Sequence, residues 1–531
     1  MRFFISLVIL VGFIPTAVSQ TVHPSSDAGS DLFLTSDQCI ACHSNLKSAS
    51  GEDVSIGYSW RASMMANSAR DPYWHASVRR EVTDHPEVQA IIEDTCSTCH
   101  MPMARFEAAN HGGRGEVFAN LGNPLAVDGV SCVVCHQIRN DNFGEPESFD
   151  GGFVIDTSRP TGERQIFGPH EVDFGRQSLM QSAAQFVPTQ STHVQESELC
   201  ATCHTVYIDT INDSEDDTKL AEQVPYFEWL HSDYQETQSC QDCHMPELND
   251  DIPITSVLGE PRPQFSQHVF RGGNAFMLRI LNKYRAELGV TALRQELDRS
   301  AGQTEVFLGT ETARLSIEAV AVAGSLNAKV TVESLAGHKL PTAYPSRRVW
   351  LHFTVSDANG SVLFDSGALR SDGSIVGNDN DADGTRYEPH YDRIDQPNQV
   401  QIYEPVLVDH TEQVTTGLLS AVRYVKDNRL LPRGFDKPTA PRDIVVQGGA
   451  AEDENFAGGG DQIEYVVDTG GTVGPLSVTA ELNYQSISFR WAENLKNYQT
   501  AETERFIRYY GENSEHSAVR LAEDSVVITI K

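Results

Sequence analysis

Apolar spacing divides the chain into three textures. Up to about residue 273, apolar residues come in short runs broken by Gly, Pro and Asn. Helical spacing is confined there to residues 59–69 and 85–96, and 110–123 and 140–168 show no period at all. Residues 274–312 recover a 3.6-residue period. Ala275-Phe276-Met277-Leu278-Arg279-Ile280-Leu281 opens an amphipathic run that continues over 290–297 after Gly289. From 313 onward the period drops to two. Strands are predicted over 313–322, 327–333, 349–356, 361–364, 400–409, 476–483 and 525–531, with Asp357-Ala358-Asn359-Gly360 as a hairpin turn. This alternation predicts an antiparallel β-sandwich-like domain over 313–531. A helical insertion near 489–510 is expected to bury Phe489, Trp491, Leu495, Phe506 and Tyr509.

Long aperiodic stretches would be suspect in an ordinary domain. The cysteines change that picture. All ten lie in five copies of C-x-x-C-H: Cys39/Cys42/His43, Cys96/Cys99/His100, Cys132/Cys135/His136, Cys200/Cys203/His204 and Cys240/Cys243/His244. This is the attachment pattern of c-type haem, in which both thiols form thioethers and the imidazole becomes an axial iron ligand. Disulfides, zinc sites or thiol exchange would also use Cys pairs, but none requires His at that position. Only 18 of 531 residues are His, so five chance matches are negligible. Five covalent haems give a loop-rich backbone something apolar to wrap. The fold class is therefore multidomain α+β: a pentahaem domain over 20–273, a helical linker over 274–312, and the β region over 313–531. Successive motifs begin 57, 36, 68 and 40 residues apart, and the two shorter gaps suggest that haems two and three, and haems four and five, are neighbours.

Residues 1–19 carry Arg2, an apolar run over 3–14 and a small-residue end at Ser19, which is the pattern of a secretory signal peptide. The expected location is periplasmic or extracellular. No later stretch is apolar for about 18 residues, so the chain is not expected to be integral to a membrane. The net charge of −34 argues against nucleic acid and favours redox proteins with basic docking faces.

Each motif supplies one axial ligand, so the second decides the chemistry. His193 precedes the fourth motif, His268 lies in Gln267-His268-Val269-Phe270-Arg271-Gly272-Gly273, and His338 lies in Ala336-Gly337-His338-Lys339-Leu340-Pro341. His111 sits in a Gly-rich loop, and His75, His170 and Met65 are further candidates. Arg347, Arg348 and Lys339 could pair with haem propionates. Asp379, Asp381 and Asp383 form a D-x-D-x-D-G run that could hold Ca²⁺, although the EF-hand pattern fails because His390 stands where its glutamate would.

The stretches Ser131-Cys132-Val133-Val134-Cys135-His136-Gln137, Ser197-Glu198-Leu199-Cys200-Ala201-Thr202-Cys203-His204-Thr205 and Cys240-Gln241-Asp242-Cys243-His244-Met245-Pro246 resemble the bacterial multihaem cytochrome c superfamily. That superfamily includes the tetrahaem cytochrome that accepts electrons from hydroxylamine oxidoreductase. Gly337-His338-Lys339-Leu340-Pro341-Thr342, followed by Pro345-Ser346-Arg347-Arg348, resembles a block of its larger members with a β-rich C-terminal domain. The resemblance implies closely stacked, mainly bis-His haems, a ligating role for His193 and an axial Met within Trp60-Arg61-Ala62-Ser63-Met64-Met65. This chain departs from the tetrahaem members by having a fifth motif. The sequence therefore predicts an electron carrier rather than a catalyst. One alternative is an oxidoreductase acting on a small nitrogen or sulfur compound at an open haem, and another is a subunit of a haem filament.

Overall fold

Alternating burial builds the C-terminal half of the computed structural model, which describes residues 32–211, 219–322 and 324–530. The expected signal segment 1–19 lies outside the described residues. Strand β1 (Ala313–Val322) pairs antiparallel with β2 (Ser325–Ser334), along which Leu326, Ala328, Val330 and Val332 are buried and their neighbours are not. The remaining sandwich strands are β3 (Arg348–Asp357), β4 (Val362–Ser366), β5 (Arg393–Ile394), β6 (Ile402–Tyr403), β7 (Gly460–Asp468), β8 (Gly474–Gln485) and β9 (Ala518–Ile530). One sheet runs β1-β2-β7-β5. The other runs β4-β3-β8-β9, with β6 also on β3. Phe353 of β3 stacks on Tyr465 of β7 at 3.9 Å between ring centroids, so this pair locks one sheet onto the other.

A smaller sheet of Pro405–Asp409, Val414–Thr415 and Ala421–Asp427 lies outside the sandwich. The expected 400–409 strand is thus split between two sheets, and β9 starts at Ala518 rather than at 525. The helical insertion is two helices, Phe489–Asn494 and Ala501–Gly511, which bury Leu495, Phe506 and Tyr509. Phe489 and Trp491 are half-buried.

The N-terminal half is short helices joined by loops. Helix Pro72–Asp84 starts where Asp71 accepts hydrogen bonds from Tyr73 N and Trp74 N, with Pro72 in the first turn. The helix expected over 59–69 is instead Ile56–Arg61 followed by a single turn at Ser68–Arg70. The motifs occupy or follow helices Asp37–Ile40, Gln89–His100, Cys132–Cys135, Ser197–His204 and Cys240–His244. Helical backbone puts residues three apart on one face, which brings both thiols of a motif to the same side.

Helices Ala275–Lys283 and Arg294–Glu311 follow. Phe276, Met277, Leu278, Ile280 and Leu281 share one core with Tyr73 and Ala76 of the N-terminal half and Phe506, Tyr509 and Tyr510 of the C-terminal half. Bidentate pairing of Arg79 with Glu502, 3.0 Å for each bond, ties the same faces together. Among the described residues, no helix is long and apolar enough to cross a membrane.

Candidate haem sites

One cavity of about 1990 Å³ runs through the N-terminal half, and the Cys and His side chains of all five motifs line it. None of the ten cysteines is in a disulfide. Sulfurs of different motifs approach within hydrogen-bonding reach: Cys39 with Cys132, Cys99 with Cys203, and Cys200 with Cys240. These contacts join motif one to three, two to four, and four to five. The neighbour relation expected for motifs four and five is present. The second motif comes beside the fourth.

Four of the five motif imidazoles share a hydrogen-bonding plan. His43 Nδ1 donates to Ile254 O at 2.6 Å, His136 Nδ1 to Phe167 O at 2.6 Å, and His244 Nδ1 to Arg271 O. His100 Nδ1 faces Ser68 O more loosely at 3.4 Å, and its ring stacks on Trp74 at 4.4 Å. A carbonyl partner fixes the proton on Nδ1 and leaves the Nε2 lone pair free, which is how metal-ligating histidines are usually oriented. Burial pushes His100 and His204 down to about 4 and also lowers His43, His136 and His244, so all five are neutral at pH 7.

Two further histidines, each beside a motif imidazole, follow the same plan. His268 Nδ1 donates to Ser266 O at 3.2 Å and His338 Nδ1 to Lys339 O at 2.9 Å. The His268 ring lies 6.3 Å from that of His136, within 18° of parallel, and the His338 ring lies 6.2 Å from that of His244, within 10°. Two imidazoles on opposite sides of one metal, with bonds of about 2.0–2.1 Å, place their centroids roughly 6.2–6.4 Å apart.

The other candidates are placed differently. His193 is buried, but its Nδ1 meets Ser191 Oγ at 2.6 Å and its Nε2 meets Ile138 O at 2.7 Å. His75 Nε2 bonds Ala69 O at 3.0 Å, and its Nδ1 accepts from Arg505 at 3.0 Å. Neither ring has a nitrogen to spare. His111 is exposed, with Nδ1 on Glu107 O, and lies outside the cavity lining. His170 and Met65 do line the cavity, as do Met64, Met180 and Met245. Met245 was not among the sequence candidates, although it directly follows the fifth motif.

Of the cationic trio, only Arg347 lines the cavity. Lys339 pairs with Asp427 at 2.7 Å, and Arg348 pairs with Asp381 at 2.8 Å. That second pair also bears on the acidic run. Asp381 is spent on Arg348 and Ile375 N, Asp379 on Arg386, and Asp383 on Thr385. The three carboxylates engage separate partners, so the Ca²⁺ expectation at Asp379, Asp381 and Asp383 has no support in the structure.

His390, Asp453 and Asp461 do converge in the β half. His390 Nδ1, however, accepts from Gln401 Nε2 at 2.9 Å and Asn428 Nδ2 at 3.0 Å. Both amides are oriented by backbone partners, Gln401 Oε1 on Tyr391 N and Asn428 Oδ1 on Glu404 N. The proton therefore sits on Nε2 and is donated to Asp453, which leaves no lone pair for a metal.

The residues of the large cavity fit covalently bound haem. They offer paired thiols, neutral imidazoles with Nε2 unspent, and apolar walls that include Trp60, Ile92, Val134, Ile166, Phe265 and Met277. Gln241 Oε1, Arg271 Nε and Ser486 Oγ are buried without a protein partner and line the same space. No family model matches the chain, and no curated protein matches it. A solved structure, that of a penta-heme cytochrome c552 from Thermochromatium tepidum, covers 93% of this chain and 99% of its own, with a TM-score of 0.52 and 17% sequence identity. At that identity the likeness is one of fold, and the fold of this chain is that of a multihaem cytochrome c.

Proposed function

We propose that the chain is a periplasmic or extracellular c-type cytochrome that carries electrons on five covalently bound haems. The observation that carries this reading is the single cavity reached by all five C-x-x-C-H motifs, with sulfurs of neighbouring motifs in contact. Bound haem supplies reversible one-electron iron chemistry. The chain would hold each group through two cysteines, and a backbone carbonyl orients the motif imidazole of His43, His100, His136 and His244. It adds a second imidazole at His136 with His268 and at His244 with His338. Arg271 and Arg347 supply positive charge for propionates, and the apolar walls exclude water and so tune potential.

Contacts between motifs one and three, two and four, and four and five give the wire its order. Motif three is near enough to motif four for the Cys203 thiol to act on Cys135 through its charge. The fourth motif then stands at a junction leading to motifs two and five. Redox partners with basic faces fit the net charge of −34. Reductive titration of the purified holoprotein tests the reading. It should take up five electrons per chain and return them to an oxidant. Uptake of fewer electrons, or haem that does not reoxidise, would contradict it.

One observation favours a second reading, an oxidoreductase. Glu222 and Tyr344 line the cavity near Cys96, and burial raises the Glu222 carboxyl to about 7. A carboxyl of that kind can donate a proton to a bound substrate. Cyanide or nitrite bound by one ferric haem, with turnover lost in Glu222→Gln, would replace the carrier reading with this one.

A further inference from the structure

The ring of His338 sits on a loop between β2 and β3 that has no regular secondary structure. We propose that a buried four-charge cluster, Glu228, Lys339, Asp427 and Arg429, is the device that positions His338 as the second axial ligand at the fifth motif. The proposal rests on the reading of His244 and His338 as one ligand pair.

The cluster draws together three remote segments. Glu228 belongs to helix Pro225–Leu230 of the haem-bearing half, while Asp427 ends a strand of the small sheet and Arg429 follows it. The exposures are 0% for Glu228 and Lys339, 3% for Asp427 and 7% for Arg429. Arg429 bonds Asp427 through Nε and Nη2, both at 2.8 Å, and reaches Glu228 at 2.8 Å. Lys339 Nζ meets Asp427 Oδ2 at 2.7 Å. Two acids and two bases cancel, so burial leaves no net charge beside the cavity.

The cluster grips the loop over the four residues that follow His338. Glu228 Oε2 accepts from Lys339 N at 3.1 Å, one residue after His338, and from Thr342 Oγ1. Leu340 and Leu430 exchange backbone hydrogen bonds of 2.8 and 2.9 Å, which fix the loop against the segment bearing Arg429. The His338 ring is held through its own backbone neighbour, its Nδ1 donating to Lys339 O, and not by a charged side chain of the cluster. Glu228 therefore acts through the loop as a positioning residue. Apolar packing could stabilise the same place equally well, but it would not set the loop's register. A directional network fixes both height and rotation of the ring, as an axial bond demands.

The test uses the full-length holoprotein and low-temperature EPR, with cyanide binding as a second readout. His338→Ala should turn one haem in five high-spin and open it to cyanide. Glu228→Gln should produce the same signal in part of the molecules and raise cyanide affinity at that haem by at least ~10-fold, the scale on which outer-shell partners act. Thr342→Val removes one hydrogen bond and no charge, so it provides a gentler variant should Glu228→Gln fail to fold. It should raise cyanide affinity in the same direction. Asp381→Asn breaks an equally buried pair, with Arg348 where β3 begins, that bonds neither His338 nor the four-charge cluster, and should leave the spectrum unchanged. If His338→Ala gives the signal but Glu228→Gln and Thr342→Val do not, the positioning role is overturned. If His338→Ala gives no new signal, the ligand reading itself falls. If Asp381→Asn gives the same signal, the effect is general destabilisation and the proposal is refuted.

Discussion

The imidazoles of His244 and His338 face one another across the haem cavity at 6.2 Å, within 10° of parallel. One belongs to the last C-x-x-C-H motif and the other to the β half. The loop of the β half thereby reaches the lining of the large cavity beside the last motif. His136 and His268 repeat the relation at 6.3 Å within the haem-bearing half.

This pairing makes a site-by-site prediction. His268→Ala and His338→Ala should each convert one haem from low-spin to high-spin, and the double variant should convert two. Magnetic circular dichroism or EPR counts the change. A single variant that alters no haem, or several, would contradict the assignment.

The net charge of −34 makes a second prediction. Association with a basic redox partner should slow steeply as ionic strength rises, because the screening length shrinks from about 10 Å at 0.1 M to about 3 Å at 1 M salt. Stopped-flow electron transfer across a salt series measures this. A rate insensitive to salt would show that the acidic surface does not steer the encounter.

The sandwich core makes a third. Phe353 is fully buried and stacked on Tyr465. Phe353→Ala should cost about 3–5 kcal/mol in urea unfolding followed by far-ultraviolet circular dichroism. A loss below about 1 kcal/mol would mean that the two sheets are not held there.

A pH dependence follows from His390. Burial pushes its imidazole down to about 4, and the amides of Gln401 and Asn428 both donate to Nδ1. An unfolded histidine titrates near ~6.5. The folded state thus resists protonation, and this stabilisation is complete above about 6.5 and is lost as pH falls toward about 4. Asp461, raised to about 7 by burial, acts in the opposite sense, favouring the fold at low pH and losing that effect as pH rises toward 7. The comparison that isolates His390 is wild type against His390→Gln. Their difference in unfolding free energy should shrink as pH falls through this window, and a flat difference would contradict the neutral, donor-locked ring.

What was legible in the sequence follows the range of the interaction. The five motifs are local, so Cys96 to His100 declare a chemistry, whereas the helical period read over 85–96 stops at Cys96 and the helix itself runs over Gln89–His100. Period-two burial along Leu326 to Val332 likewise declares a strand. Helix Pro72–Asp84 escaped the reading of periodicity, although Asp71-Pro72 is a start signal, because Tyr73, Trp74 and His75 blur the apolar stripe. Distal partners are long-range. Proximity of His193 to the fourth motif could not tell that its two nitrogens face Ser191 and Ile138. Glu228 stands alone among Pro225, Tyr226, Phe227, Trp229 and Leu230, and only the fold brings Arg429 to it.

The account depends most directly on five haems joined through thioethers. Intact-mass spectrometry of the mature holoprotein, after acid–acetone extraction of loose cofactor, measures this. The predicted mass is that of the polypeptide plus five haems, falling by one haem when Cys132 and Cys135 are both replaced by Ser. A mass carrying fewer than five haems, or haem removed by the extraction, would contradict it.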